Sequence, residues 1–325
     1  MSRLRILLIL VLVLAASGCA IHVDTFRDYD EPLQEIVLQG EAKAKVLVIP
    51  VRGIVSTSPS EGLVSRGPSL VQEVVSHLNR AQDDPDVRAV VLQIDSPGGT
   101  VVASEILYNE VMRWRERTGT KVVALQMGVA ASGGYMASLA GDVIVAHPST
   151  VTGSIGTLFI SPNVAGLMDK LGVSAEVYKS GSHKDIGSPL RDATDEERVI
   201  MQAMIDEMNG RFLALVAQRR GLDRTALEDV ADARVLTAQQ ALVLGLVDRV
   251  GYVQDALDEA KRLADMPGDA RVVVYRRTKF AEDNLYNSAT NDYQGRTPVL
   301  MDLGLPALSG AGVSGFCHLW APDFD

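Results

Sequence analysis

Cysteine is nearly absent from this 325-residue chain, with only Cys19 and Cys317 present. Two cysteines so far apart provide no disulfide framework, so the fold must rest on its core. Basic charge is also short: 31 Lys and Arg face 41 Asp and Glu, a formal net charge of −10. Phosphate binding needs a basic face, so nucleic acid is not expected as a partner. There are five histidines. No His/Cys/Asp spacing has the form of a metal site, and no phosphate-binding glycine loop occurs, so neither a metal nor another cofactor is expected.

Long apolar runs are missing as well. The one aliphatic stretch, Ile6 to Ala16, follows Arg3 and Arg5. It is too short for a comfortable membrane span, which needs about 20 residues. Small residues follow, Ser17-Gly18, and then Cys19. A charged start, an apolar run and a small-residue region make an export signal. Leu14-Ala-Ala-Ser-Gly-Cys19 resembles a bacterial lipobox, in which cleavage precedes a cysteine that is then lipidated. The first reading of the ends is therefore a signal peptide over 1–18, lipidation at Cys19 and a polar linker over 19–44. A chain so processed is exported and anchored at the membrane, facing the periplasm or extracytoplasmic side.

The 47% apolar content is ample for a large core. From residue 45 the pattern alternates. Val46–Pro50, Val87–Ile94, Val122–Leu125 and Val143–Ala146 read as buried strands. Ser69–Gln82 and Ala103–Arg117 read as amphipathic helices between them, the second ended by Gly119. Such alternation implies βαβ units and a mainly parallel sheet. Further on, Ala175–Tyr178 reads as a short strand. Thr194-Asp-Glu-Glu197 is a capping-box signature opening a helix to about Arg219. Its stripe Ile200, Met204, Met208, Phe212, Leu215 and Val216 fits core or subunit contact. Two short helices, 238–244 and 253–264, and a strand at Arg271–Tyr275 complete a domain over 45–275. Residues 276–325 lose periodicity and read as a partly ordered tail.

Three stretches carry chemistry. Asp95-Ser-Pro-Gly-Gly-Thr100 ends a strand, and its glycines let a backbone approach a ligand closely with N–H groups turned outward. Met127-Gly-Val-Ala-Ala-Ser-Gly-Gly-Tyr135 places Ser132 at a strand-to-helix turn, as a nucleophile or as a simple N-cap. Lys179-Ser-Gly-Ser-His-Lys-Asp185 offers Lys179, His183 and Lys184 as cations or as plain surface charge. If this segment is extended, His183 and Lys184 point to opposite faces and only one faces Ser132.

Together with Thr152-Gly-Ser-Ile-Gly156 and Ala233-Arg-Val-Leu-Thr237 leading to Leu244-Gly-Leu-Val-Asp248, these stretches resemble bacterial signal peptide peptidase A, the SppA-type serine peptidases with a Ser–Lys dyad. The order and approximate spacing match as well. The resemblance implies a ClpP/crotonase-like α/β fold, a parallel-rich sheet with flanking helices and a smaller helical extension. It implies Ser132 as nucleophile and Lys184 as general base. It implies an oxyanion hole from Gly99 and the Ser132 N–H, and Ser154 orienting the lysine. A lysine in water has a pKa of about 10.4, so such a base needs a largely apolar, water-poor pocket. One copy of the motifs further implies a homo-oligomeric ring with composite active sites. The expected function is an endopeptidase for released signal peptides and other unfolded apolar peptides. Two alternatives are a crotonase-type acyl-CoA enzyme, which the export signal disfavours, and a catalytically silent scaffold or binding lipoprotein. The apolar, aromatic end Gly315-Phe-Cys-His-Leu-Trp320 is expected either to tuck against the body or to occupy a substrate groove.

Overall fold

Alternating and continuous β-branched runs build the centre of the molecule. In the computed structural model, which describes residues 31–61, 66–287 and 315–320, strands β1 (Gln34–Gln39) and β2 (Ala42–Arg52) come first. A short hairpin follows, β3 (Ser60–Glu61) with β4 (Arg66–Gly67). Next come α1 (Leu70–Gln82), β5 (Val87–Ser96), β6 (Gly98–Thr100), α2 (Val101–Thr118), β7 (Lys121–Ala131) and α3 (Gly133–Ser138). Then follow β8 (Val143–Ala146), β9 (Val151–Gly153), β10 (Leu158–Ile160), α4 (Ala165–Leu171) and α5 (Asp195–Arg220). The remainder is α6 (Arg224–Glu228), β11 (Val235–Thr237), α7 (Ala238–Val243), β12 (Arg249–Val250), α8 (Val253–Leu263), β13 (Ala270–Arg276) and β14 (Gly315–Leu319).

The main sheet runs β1-β13-β2-β5-β7-β8-β12, and β9 joins β7 and carries β11. The central pairs β13–β2, β2–β5, β5–β7 and β7–β8 are parallel, while β1 and β11 pair antiparallel. A parallel sheet needs both faces covered, which explains the near-continuous apolar strands. Leu47, Ile49, Leu92 and Ile94 belong to a core shared with α1, α2, α3 and the C-terminal half of α5. Val46, Val48, Val91 and Val123 belong to a second core shared with α8. Each such side chain contributes about 1.5–3 kcal/mol on burial.

Local chemistry sets the helix ends. Ser69 caps α1 by accepting from the Gln72 amide, and Gly119 ends α2 in the left-handed conformation, at φ +68°. The Thr194–Glu197 capping box forms at the start of α5. Only the C-terminal half of α5 reaches the core, through Phe212 and Val216. Met204 is exposed and Ile200 and Met208 are half-buried, so the N-terminal half projects as the helical extension.

Two expectations need correction. The linker over 19–44 contains β1 and the start of β2, because β1 completes the sheet edge on β13. No strand forms at 175–178: these residues are exposed and without regular structure, so nothing buries their apolar alternation. The signal peptide and Cys19 lie outside the described residues.

Candidate active site

β7 is longer than its apolar core and carries the chain straight to Ser132. Its last residues pair in parallel with β9, Ala131 opposite Gly153, so Ser132 and Ser154 are the next residues of two neighbouring strands. Both turn into positive φ, 53° at Ser132 and 49° at Ser154. Non-glycine residues in that region are held there by their surroundings, and they concentrate at functional sites. The Ser132 backbone (φ 53°, ψ −115°) makes the sharp strand-to-helix turn of a nucleophile elbow. Its side chain makes no N-cap bond. The residue is 1% exposed, and the hydroxyl donates to the Gly156 carbonyl at 3.4 Å.

The glycines after Ser132 have steric reasons. A Cβ on Gly133 would collide with the Ser104 hydroxyl of α2, and one on Gly134 with the Ser96 carbonyl. The turn at 95–99 is fixed just as closely. Asp95 Oδ1 accepts from the Val129 amide at 3.0 Å, tying β5 to β7 beside the elbow. The Ser96 hydroxyl donates to the Gly53 carbonyl at 2.6 Å and accepts from the Gly98 amide at 3.1 Å. A Cβ on Gly99 would collide with the Val55 carbonyl. β6 is thereby held against Val55 on one edge and pairs with β14 on the other, with Gly98 close to the Gly133 amide that follows Ser132.

One expected donor is already engaged. The Ser132 N–H donates to the Gly153 carbonyl at 2.8 Å as the β7–β9 ladder continues, so it is not available for an oxyanion. The next amide, Gly133, opens α3 and has no intrahelical acceptor. It stands 2.7 Å from the position a Cβ on Gly98 would take, beside β6. Sequence reasoning misses Gly133, although its place directly after the candidate nucleophile is the available signal.

Two further motifs act as supports. The Ser154 amide donates to the Arg234 carbonyl at 2.9 Å, so 233–237 holds the end of β9 through β11. The Tyr135 hydroxyl, buried under the elbow, donates to the Leu246 carbonyl at 2.9 Å. Asp248 accepts from the Ile144 amide and from Arg220, both at 2.7 Å, locking β8 to the end of α5.

Lys184 lies on the segment between α4 and α5. It is exposed, and its side chain makes no hydrogen bond or ion pair among the described residues. Residues 180–187 are successive turns, not an extended strand: the amides of Lys184, Ile186 and Ser188 donate to the carbonyls of Gly181, His183 and Asp185. His183 and Lys184 are therefore not sorted to opposite faces of a strand, contrary to the expectation. His183 turns to Ser182 and, at 3.5 Å, to Glu196. An ion-pair network holds the segment. Asp185 accepts from Lys179 at 2.6 Å and from Arg191 at 2.8 Å, and Arg191 bonds Glu197 on α5 at 2.5 Å. The Arg191 guanidinium keeps both carboxyls below the usual carboxylate range.

β14 lies on this site. It pairs antiparallel with β6 on one side and β10 on the other, with His318 opposite Gly99 and Cys317 opposite Leu158. The His318 ring is fully buried, 4.7 Å from the Phe212 ring centroid. Its Nδ1 is 2.9 Å from the Gly156 carbonyl and 3.1 Å from the Thr157 hydroxyl. Among the described residues no cluster of His, Cys, Asp or Glu could hold a metal ion.

The family model for Peptidase family S49 matches residues 115–267, and that for Clp protease matches residues 67–150. A protein of Enterococcus faecium named as a signal peptide peptidase SppA is 32% identical over 291 residues, 89% of this chain and 84% of that protein. This chain belongs to peptidase family S49. Protease 4 of Haemophilus influenzae is 30% identical over 292 residues, 87% of this chain and 46% of that longer protein. A ClpP1 mutant of Listeria monocytogenes superposes with a TM-score of 0.41 at 18% identity, over 66% of this chain and 95% of its own. As an S49 member of the SppA type, the protein is a serine peptidase with a ClpP-like α/β fold.

Proposed function

We propose that Ser132 is the nucleophile of a Ser–Lys dyad endopeptidase and that Lys184 of a neighbouring copy supplies the base. The observation that carries this reading is the split between them. Ser132 sits buried at a strained elbow near β6, while Lys184 stands exposed on an ordered turn with no side-chain partner among the described residues. A second chain laid over the 164–190 segment would bury the amine and bring it to Ser132. The same segment exposes Leu167, Leu171, Val177 and Tyr178, an apolar surface suited to that contact.

The reaction follows from these parts. The lysine takes the Ser132 proton as Oγ attacks the scissile carbonyl. Gly99 and Gly133 amides stabilise the oxyanion. The leaving amine takes the proton from the lysine, and water then clears the ester with the lysine again as base. Ser154, beside Ser132, orients the lysine. Apolar, unfolded chains fit a groove that binds its ligand as an added strand, so released signal peptides are the proposed substrates. The Arg3–Cys19 pattern supports export and a lipid anchor at Cys19.

Hydrolysis of fluorogenic apolar peptides by residues 20–325 tests this directly. Turnover is expected in the parent and in His183→Ala, and is expected to vanish in Ser132→Ala and Lys184→Ala. Turnover surviving in Lys184→Ala and lost in His183→Ala would overturn the dyad.

A further inference from the structure

β7 is not a regular strand. Gln126 stands opposite Ile94 of β5, and Ala130 stands opposite Ser96. Residues 127–129 therefore face Asp95 alone, and β7 carries a bulge of two extra residues. On its other edge β7 changes partner at the same place. Gln126 pairs with Ala146 of β8, whereas Val129 pairs with Val151 of β9. A bulge takes backbone groups out of the ladder, and such groups need other partners when buried. Two side chains supply them, one on each edge. On the β5 side, Asp95 Oδ1 accepts from the Val129 amide at 3.0 Å, in place of a strand carbonyl. Gly128 leaves room for it, since a Cβ there would stand 3.1 Å from the same oxygen. On the other side is the Thr150 hydroxyl, on a residue that is 1% exposed. It lies 3.1 Å from the Gln126 carbonyl oxygen and 2.5 Å from that of Met127. Successive carbonyls of a regular strand point to opposite edges, so one hydroxyl that meets two of them fits only the bulged path. Past the bulge the ladder runs regularly to Ala131 opposite Gly153, and Ser132 comes next.

We propose that Asp95 and Thr150 are positioning residues for the serine chemistry: they clamp the β7 bulge from its two edges, and the clamped bulge sets the register of the elbow. This rests on the reading of Ser132 as the nucleophile. Both side chains act through the backbone of 126–129. That backbone decides where Ser132 stands against Ser154, and where the Gly133 amide stands against Gly98. A slip of one residue would turn every following side chain to the other face. Even a shift of about 1 Å at the reacting atoms costs about 100-fold in rate. Asp95 contributes an acceptor and Thr150 a donor; neither role calls for a charge.

Two readouts on the full chain test this. The first is peptide hydrolysis. Asp95→Leu removes the acceptor, and Thr150→Val removes the donor at nearly constant volume. Each is expected to lower kcat about 10- to 100-fold while KM stays within about twofold. Asp95→Asn keeps an accepting oxygen and Thr150→Ser keeps the hydroxyl, so each is expected within about threefold of the parent. Unchanged kcat in the Leu and Val variants would overturn the proposal. So would a loss in the Asn and Ser variants as large as in the other two. The second readout is backbone hydrogen exchange followed by mass spectrometry. Peptides covering 127–134 are expected to exchange faster in Asp95→Leu and Thr150→Val, and those covering 45–52 and 87–94 to match the parent. Faster exchange across the whole sheet, or none at 127–134, contradicts a role confined to the elbow. Absence of turnover in the parent would instead sink the nucleophile reading, and the exchange pattern would still decide whether the clamp holds the elbow.

Discussion

The two halves of the proposed dyad are built in opposite ways. Around Ser132 every neighbour is fixed: the elbow is strained, its glycines are needed by contact, and its amides are accounted for. Around Lys184 the side chain is exposed, and the chain is held by turn hydrogen bonds and the Asp185 ion pairs. On the proposed reading, the nucleophile is a property of one chain's fold and the base a property of whatever covers the turn. Burial lowers a lysine's pKa, and on that reading a second surface supplies it.

The largest effect expected from this contrast is on catalysis. Ser132→Ala and Lys184→Ala should each lower kcat by about 10³-fold or more in steady-state assays, because groups acting as a unit fail together. Thermal unfolding of Lys184→Ala should match the parent, since an exposed, unpaired side chain holds nothing in place. A shifted unfolding curve in that variant would mean Lys184 has a structural role.

Next in size is the pH response of the tail. Burial pushes the docked His318 down to about 4, below the 6.5 of a free imidazole. Nearby Arg211 lowers it further, while the bond to the Gly156 carbonyl works the other way. The docked strand thus prefers the neutral ring. Docking is at full strength above pH 6.5 and weakens about tenfold per unit as pH falls toward 4. Titrating a labelled peptide of the β14 sequence, Gly-Phe-Cys-His-Leu-Trp, against Ser132→Ala/His318→Asp across that range reads this slope. A flat profile would show that the ring is not buried on binding.

Smaller effects separate the two regions by packing. Gly134→Ala should destabilise by about 1–3 kcal/mol, since the added carbon meets backbone at Ser96. Gly181→Ala, in open space beside Lys184, should stay within about 0.5 kcal/mol in chemical denaturation. Equal effects would mean the elbow tolerates more than its contacts allow. Arg191→Ala acts on both stability and activity. Its partners Asp185 and Glu197 have side chains only 14% and 3% exposed, so the variant strands shielded carboxylates and should lower stability in chemical denaturation. kcat should drop several-fold as the Lys184 turn loosens, a fall that Arg191→Lys restores only in part because the bidentate geometry is lost.

Most of the sheet is legible directly, because a parallel strand covered on both faces shows as an apolar run: Val46–Pro50, Val87–Ile94 and Val143–Ala146 all lie within the strands found. The end signals at Gly119 and Thr194 also mark real helix ends. β1 is hidden because an edge strand half in solvent carries no clear period. The turns at 180–187 are hidden because polar, glycine-rich sequence is compatible with several backbone paths. At the site, Ser132 and Gly99 are placed by their glycine neighbours, whose function is local. The engaged Ser132 amide, the Gly156 carbonyl and the His318 pocket are not legible, because each depends on a partner 21 to 162 residues away.

The most direct test of the split dyad mixes two dead proteins. Ser132→Ala and Lys184→Ala subunits, each inactive alone, are dissociated, combined in equal amounts and reassembled before the peptide assay. If serine and lysine come from adjoining copies in a ring, about one site in four regains both groups, and turnover returns to about a quarter of the parent. If both groups come from one chain, the mixture stays dead at every ratio although it assembles, and the dyad is not shared between subunits.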